Sequence, residues 1–168
     1  MENWKTTASN ELTMDFYRAQ YQGIARCNLA LKYVSQMQPD SIMSLSLQER
    51  LLGEAYFLRA YYYFRLVRVF GGVPMTLDVL DNSENWKIDR ASVEQVFSQI
   101  LSDLTAAQKR LWRVAQIPDD QRGRATKGAA EAMLMKVYLY MASPYWSKYI
   151  TKSTSATNYA LAKQWGDS

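Results

Sequence analysis

The feature that rules out most folds is the run from Ser46 to Phe70, which carries two apolar stripes at once. Leu51, Ala55, Leu58, Tyr62, Leu66 and Val69 recur at helical steps, and Leu52, Tyr56, Tyr63, Val67 and Phe70 form a second stripe beside them. A strand would alternate every second residue, whereas this spacing follows the period of a helix. Two adjacent stripes make a wide apolar arc, so the helix must be covered by neighbours on two sides. Arg50, Glu54, Arg65 and Arg68 fall on the remaining polar face. Arg59 is different, because it lies between Tyr56 and Tyr63 on an apolar stripe, where an unpaired charge is costly. That position predicts a buried ion pair with a carboxylate of another helix, Asp103 or Glu131. Gly71 and Gly72 supply the C-terminal cap, and Pro74 prevents continuation.

Three further segments repeat the helical pattern, giving expected helices near 13–38, 46–70, 92–112 and 126–142. The first carries Phe16, Tyr17, Tyr21, Ile24, Cys27, Leu31 and Val34 and stops at Pro39. Ser46-Leu47-Gln48-Glu49 and Ser92-Val93-Glu94-Gln95 read as capping boxes. The fourth helix opens near Thr126, and Gly128, Ala129 and Ala132 predict close approach of a neighbour there. A fifth, shorter helix is expected from about Thr157 to the end. No strand-like alternation of useful length is present. Helix starts near 13 and 46, and near 92 and 126, are separated by roughly the tetratricopeptide repeat of 34 residues. The expected fold is therefore all-α: one domain over residues 1–168, built from antiparallel helix pairs of tetratricopeptide type in an α-α superhelix. The connection "VPMTLDVLDNSENWKIDRA" is too long for a simple repeat turn, and long connections in compact domains often carry function.

Composition narrows the function. There is no histidine and one cysteine, Cys27, which removes most zinc sites, histidine-based nucleophile systems and any intrachain disulfide. Paired carboxylates remain the one acid–base chemistry open in principle, but Asp and Glu are scattered on polar helix faces, so no catalytic or metal-binding residue is expected. The net charge of +4 comes without a run of lysine and arginine, which argues against nucleic acid. The segment Ala129–Trp146 is interrupted by Glu131 and Lys136 and ends beside Pro144, so it does not read as a membrane span.

Three stretches, in this order, resemble the SusD/RagB family: "GEAYFLRAYYYFRLVRVFGGVPM", "DRASVEQVFSQILSDLTAA" and "GRATKGAAEAMLMKVYLYMASPYW". The upstream "YQGIARCNLAL", with Asn28, is similar to the family's first helix. The resemblance implies a largely helical, tetratricopeptide-like scaffold without enzymatic activity or cofactor. It implies binding of glycans, in some members peptides, at the surface of Bacteroidota. It further implies an outer-membrane lipoprotein that acts as a lid on a SusC-like TonB-dependent transporter in nutrient uptake and polysaccharide utilisation. Family members are much longer, and Cys27 lies mid-helix, so it is not the lipid-anchoring cysteine. The chain is accordingly expected to be the N-terminal helical fragment of such a protein, with Glu54, Arg59, Gly71, Gly72 and Pro74 as structural residues.

Trp4, Trp86 and Trp146 lie in or beside loops, and an indole face suits either a sugar ring or the edge of a helix stack. Asn3, Asn10, Asn82 and Asn85 stand near two of them, where their amides are placed to bond hydroxyl groups. Trp4, Asn10, Trp86 and Trp146 are therefore the candidate ligand contacts. The rival reading is a helical-repeat adaptor that binds a protein partner in its groove.

Overall fold

The computed structural model describes residues 10–80 and 87–167. Five helices follow one another: α1 (Glu11–Gln36), α2 (Leu45–Phe70), α3 (Val93–Arg110), α4 (Lys127–Ala142) and α5 (Ser155–Gly166). Each packs on the next in chain order. The all-α reading holds, and the expected boundaries hold to within two residues for all five helices.

Contacts at the helix ends fix the directions. Gln48, near the start of α2, donates from Nε2 to the carbonyls of Val34 and Met37 at the end of α1, at 2.7 and 2.8 Å. At the other end, Tyr17 of α1 meets Phe70 of α2 edge to face with ring centroids 5.3 Å apart. Gly53 lies against Arg110 and Leu111, while Gly71 lies near Val93, so α3 also runs back along α2. Lys127 N–H donates to the Trp112 carbonyl at 2.9 Å, and α4 turns back on α3 in the same way. α2 is thus covered by α1 on one side and α3 on the other, as its two stripes require.

Tyr63, Phe64, Leu66, Val67, Val96, Phe97, Ile100, Leu104, Leu134 and Val137 form the centre of the core. On the α4 side, Ala130 is buried, whereas Gly128 and Ala132 are exposed and nothing approaches Gly128. The small-residue approach expected at α4 is therefore made by Ala130. A helix in contact with its neighbour over one narrow face needs a small residue only on that face.

Two caps differ from expectation. α1 begins at Glu11 because the Asn10 side chain accepts from Thr13 N–H at 3.3 Å. α2 is capped by Ser44, which accepts from Leu47 N–H at 3.2 Å, and the box at Ser46–Glu49 does not form. Ser46 instead accepts from the Trp112 indole at 3.2 Å, and Glu49 pairs with Arg110 at 3.0 Å. The Ser92–Gln95 box forms in both directions, and Thr126 caps α4.

Candidate functional site

The long connection after α2 is tied down at its first residues. Gly71 takes φ +71°, a backbone conformation that side chains disfavour, while its N–H bonds to the Val67 carbonyl at 2.9 Å. A Cβ on Gly72 would collide with the Ala91 carbonyl oxygen. This close passage lets Val73 accept from Ala91 N–H at 3.0 Å and Pro74 form an isolated antiparallel bridge with Arg90. Both ends of the connection therefore meet at the C-terminus of α2.

From there the strand-like segment 74–78 runs over a buried polar network. Tyr21 donates its hydroxyl to the Pro74 carbonyl at 2.7 Å. Tyr63, fully buried, accepts from Thr76 N–H at 2.8 Å and lies 2.9 Å from the Thr76 carbonyl, to which its hydroxyl donates. Asn28 donates to the carbonyls of Thr76 and Asp78 at 2.9 and 3.1 Å. Arg59 stands at the centre. Its Nε and Nη2 bond both oxygens of Asp103 at 2.8 and 2.7 Å, and its Nη1 reaches Asn28 Oδ1 at 2.9 Å and the Leu77 carbonyl at 3.1 Å. Gln99 adds a bond to Asp103 Oδ1 at 2.9 Å.

The expected ion pair of Arg59 is therefore present, with Asp103 as its partner. Glu131, the other candidate, accepts from Gln108 at 2.9 Å. Burial works against the charged guanidinium, but the hydrogen bonds and charge of Asp103 outweigh it, and the Arg59 pKa lies above its ordinary value. Burial likewise pushes the Cys27 thiol up to about 11, against a smaller opposing effect of Arg59, so the thiol is protonated at neutral pH. Beside this network lies an open cleft of about 490 Å³, lined by Asn28, Lys32, Tyr56, Arg59, Leu77 and Asp78 among others.

The candidate residues separate. Trp4 and Trp86 lie outside the described residues. The Asn10 carbonyl oxygen is used as the cap of α1. Trp146 is only 7% exposed and packs edge to face on Phe97 with centroids 5.7 Å apart. Its reading as a ligand platform is corrected: the turn after α4 folds this indole inward to close the end of the core. Its neighbours Tyr145 and Tyr149 face outward instead, at 59% and 45% exposure, with Lys148 Nζ 4.6 and 5.0 Å from their ring centroids. The spacing of these three aromatics does not say which one turns in, since they lie past the end of the regular helix.

The remaining structural residues take defined roles. Glu54 pairs with Arg124 at 2.7 Å and with Arg50 at 3.6 Å. Arg50 is corrected from the polar face to the interior: it is 3% exposed, donates to Gln121 Oε1 at 2.8 Å and lies 4.3 Å from the Trp112 ring centroid. The loop after α3 folds back over the start of α2 and covers it, a long-range contact invisible in helical periodicity.

Comparison with known proteins places this geometry. Residues 1–139 match the SusD-like family described as starch-binding and associating with the outer membrane. SusD-like protein P2 of Formosa agariphila is 30% identical over 142 residues, covering 83% of this chain and 26% of that protein. A laminarin-binding SusD-like protein of known structure is 34% identical, with a TM-score of 0.71 over 89% of this chain and 28% of its own. A structure determined with a xylogluco-oligosaccharide is 26% identical, with a TM-score of 0.76 over 96% of this chain and 30% of its own. The chain spans about a quarter of the length of the curated relatives it matches. Its match over five-sixths of its residues, together with its structural similarity to those proteins, makes it a member of the SusD-like family.

Proposed function

We propose that this chain is the helical scaffold of a non-catalytic, cell-surface glycan-binding protein that serves as the lid of a SusC-like TonB-dependent outer-membrane transporter. The observation that supports the reading most directly is the Arg59 network. With Tyr21 and Tyr63 it fixes residues 74–78 against α1 and α2, Asp103 of α3 holding Arg59 in place, and the same connection continues in sequence to Asn82, Asn85 and Trp86. A rigid anchor of this kind lowers the ordering cost of a recognition loop. The laminarin-binding relative and the xyloglucan-oligosaccharide complex supply the ligand class, an extended neutral glucan. The open polar cleft beside the anchor provides hydrogen-bonding groups along Leu77, Asp78 and Val79 of the same connection.

Calorimetric titration of the full-length protein with laminarin and xyloglucan oligosaccharides tests the reading. Saturable binding, weakened by Trp86→Ala or Trp4→Ala and accompanied by no release of reducing ends, is the expected result. The 168-residue chain alone is expected to bind more weakly, because an extended glycan is held by several modest contacts acting together. Absence of binding to any glucan, or catalytic release of sugar, overturns it. Co-purification of the full-length protein with a TonB-dependent barrel tests the partner separately.

A further inference from the structure

Arg65 and Arg68 stand on the opposite side of α2 from the cleft, one helical turn apart and facing the same way. They line a groove of about 400 Å³ with Lys136 of α4. Aromatic rings hold both guanidinium groups. Arg65 lies 4.9 Å from the Phe16 centroid and 5.6 Å from Tyr61, and Arg68 lies 5.3 Å from Phe64 and 5.0 Å from Tyr140. Stacking orients a guanidinium while leaving its N–H edges free. No carboxylate lines the groove, and among the described residues neither arginine donates a hydrogen bond to the protein or forms an ion pair. Two oriented forks and an ammonium thus converge without an acceptor.

We propose that this groove docks an acidic segment of a protein partner, with carboxylates on Arg65, Arg68 and Lys136 and an apolar side chain on Val69 and Met133. Charge complementarity selects the carboxylates, because the planar fork matches a carboxylate bidentately. The rest of the lining selects a peptide over a glycan. Sugar hydroxyls need acceptors as well as donors, and the groove offers no carboxylate or amide and a single hydroxyl, that of Tyr61. Val69, at 60% exposure, instead presents bare apolar surface. Nucleic acid is disfavoured because the arginines occupy the ring faces on which bases would stack. This docking is independent of the glycan site proposed above.

The test uses the 168-residue protein and a fluorescein-labelled Glu-Leu-Asp-Phe-Glu peptide in fluorescence anisotropy. Saturable binding is expected that weakens with added salt, and the isosteric Gln-Leu-Asn-Phe-Gln peptide should bind at least about tenfold less tightly. Arg65→Gln and Arg68→Gln should each lose about tenfold, while Lys163→Gln on α5 removes an equal charge with little effect. Circular dichroism checks that each variant keeps its helices. Equal binding of the two peptides, no effect of the two arginine variants, or no saturation up to about 1 mM, the weak end of specific affinity, would overturn the proposal. So would displacement by trigalacturonate at lower concentration than by unlabelled acidic peptide, which would make the occupant a charged glycan.

Discussion

Helix α2 presents arginine in two environments. Arg59 is 6% exposed and directs four N–H bonds into Asp103, Asn28 and the Leu77 carbonyl. Arg65 and Arg68 sit over aromatic rings, and among the described residues their N–H groups are unused by the protein. The helix is the same, so the difference comes from what packs beside each position. Next to Arg59, α3 brings Asp103 and the connection brings backbone carbonyls that need donors. Next to Arg65 and Arg68, α4 brings Lys136 and Met133, which offer a guanidinium nothing to bond. A buried arginine thus organises a loop, while a stacked one stays available to a ligand.

Removing each in turn breaks the comparison most directly. Arg59→Ala leaves Asp103 buried and uncompensated, and breaking such a pair costs about 3–5 kcal/mol. For a domain of this size the melting temperature should fall by about 6–20 °C. Arg65→Gln and Arg68→Gln lose only exposed stacking, about 0.5–1 kcal/mol each. Thermal melts of the three variants decide the matter. Arg59→Ala melting with the parent would mean that water replaces the guanidinium freely, and the anchor would not be one.

The neighbouring aromatics allow the same contrast at the other end of the core. Trp146→Ala should cost about 3–5 kcal/mol, since it empties a site closed around a large ring. Tyr145→Ala, next in sequence but exposed, should change stability by about 0.5 kcal/mol or less. Denaturant titration of both reads the difference. A small loss for Trp146→Ala would return the indole to the surface and reopen its reading as a sugar platform.

These particulars show where sequence was informative. The two stripes of α2 required covering helices on both sides, and the charge of Arg59 on an apolar stripe required a carboxylate, because each is a local pattern with one physical resolution. Arg50 could not be read this way. Its burial depends on residues 112–121 folding over the start of α2, and helical periodicity carries no information about where a loop lands. Ser44 and Ser46 are both good caps by composition, and the choice was made by the Trp112 indole, which takes the Ser46 hydroxyl. Asn10 looked like a hydroxyl binder and is a helix cap, since the same carbonyl oxygen serves either use. The network that fixes the connection was only partly legible. Arg59 and Asn28 stood out, but the backbone carbonyls of Pro74, Thr76, Leu77 and Asp78 that they and the tyrosines bind have no signature in side-chain sequence.

A smaller effect sharpens the account of the anchored connection. Gly72→Ala forces a methyl group against the Ala91 carbonyl, and neither backbone can move without disturbing the bond between Val73 and Ala91. Overpacking of this kind costs about 1–3 kcal/mol. The loss should appear locally as faster exchange of the Ala91 amide, whose acceptor, the Val73 carbonyl, would be displaced. Unchanged exchange at Ala91 would show that the connection is held by the Arg59 network alone.

The smallest expected effect concerns the joint between α3 and the segment entering α5. Glu94 accepts from Lys152 N–H at 2.7 Å and Thr151 N–H at 2.6 Å, and its second oxygen lies 3.0 Å from the Thr151 hydroxyl, which donates to it. The backbone bond from Lys152, with those from Thr151 and the nearby Lys152 charge, holds the Glu94 carboxyl below its ordinary value despite an opposing contribution from desolvation. A carboxylate whose folded pKa is depressed contributes stability above its unfolded pKa, and loses it as pH falls through the folded pKa. Glu94 therefore supports this joint at neutral pH and ceases to do so only in acid. Glu94→Gln keeps the shape but removes the charge, so it should lower stability slightly at neutral pH and converge with the parent at low pH. Because the group is at the surface, added salt should narrow the gap. Urea melts of parent and variant across the acid range measure this directly. A gap that stays constant down to the lowest pH would assign the joint to packing of Ile150 and Trp146 instead of to the charge.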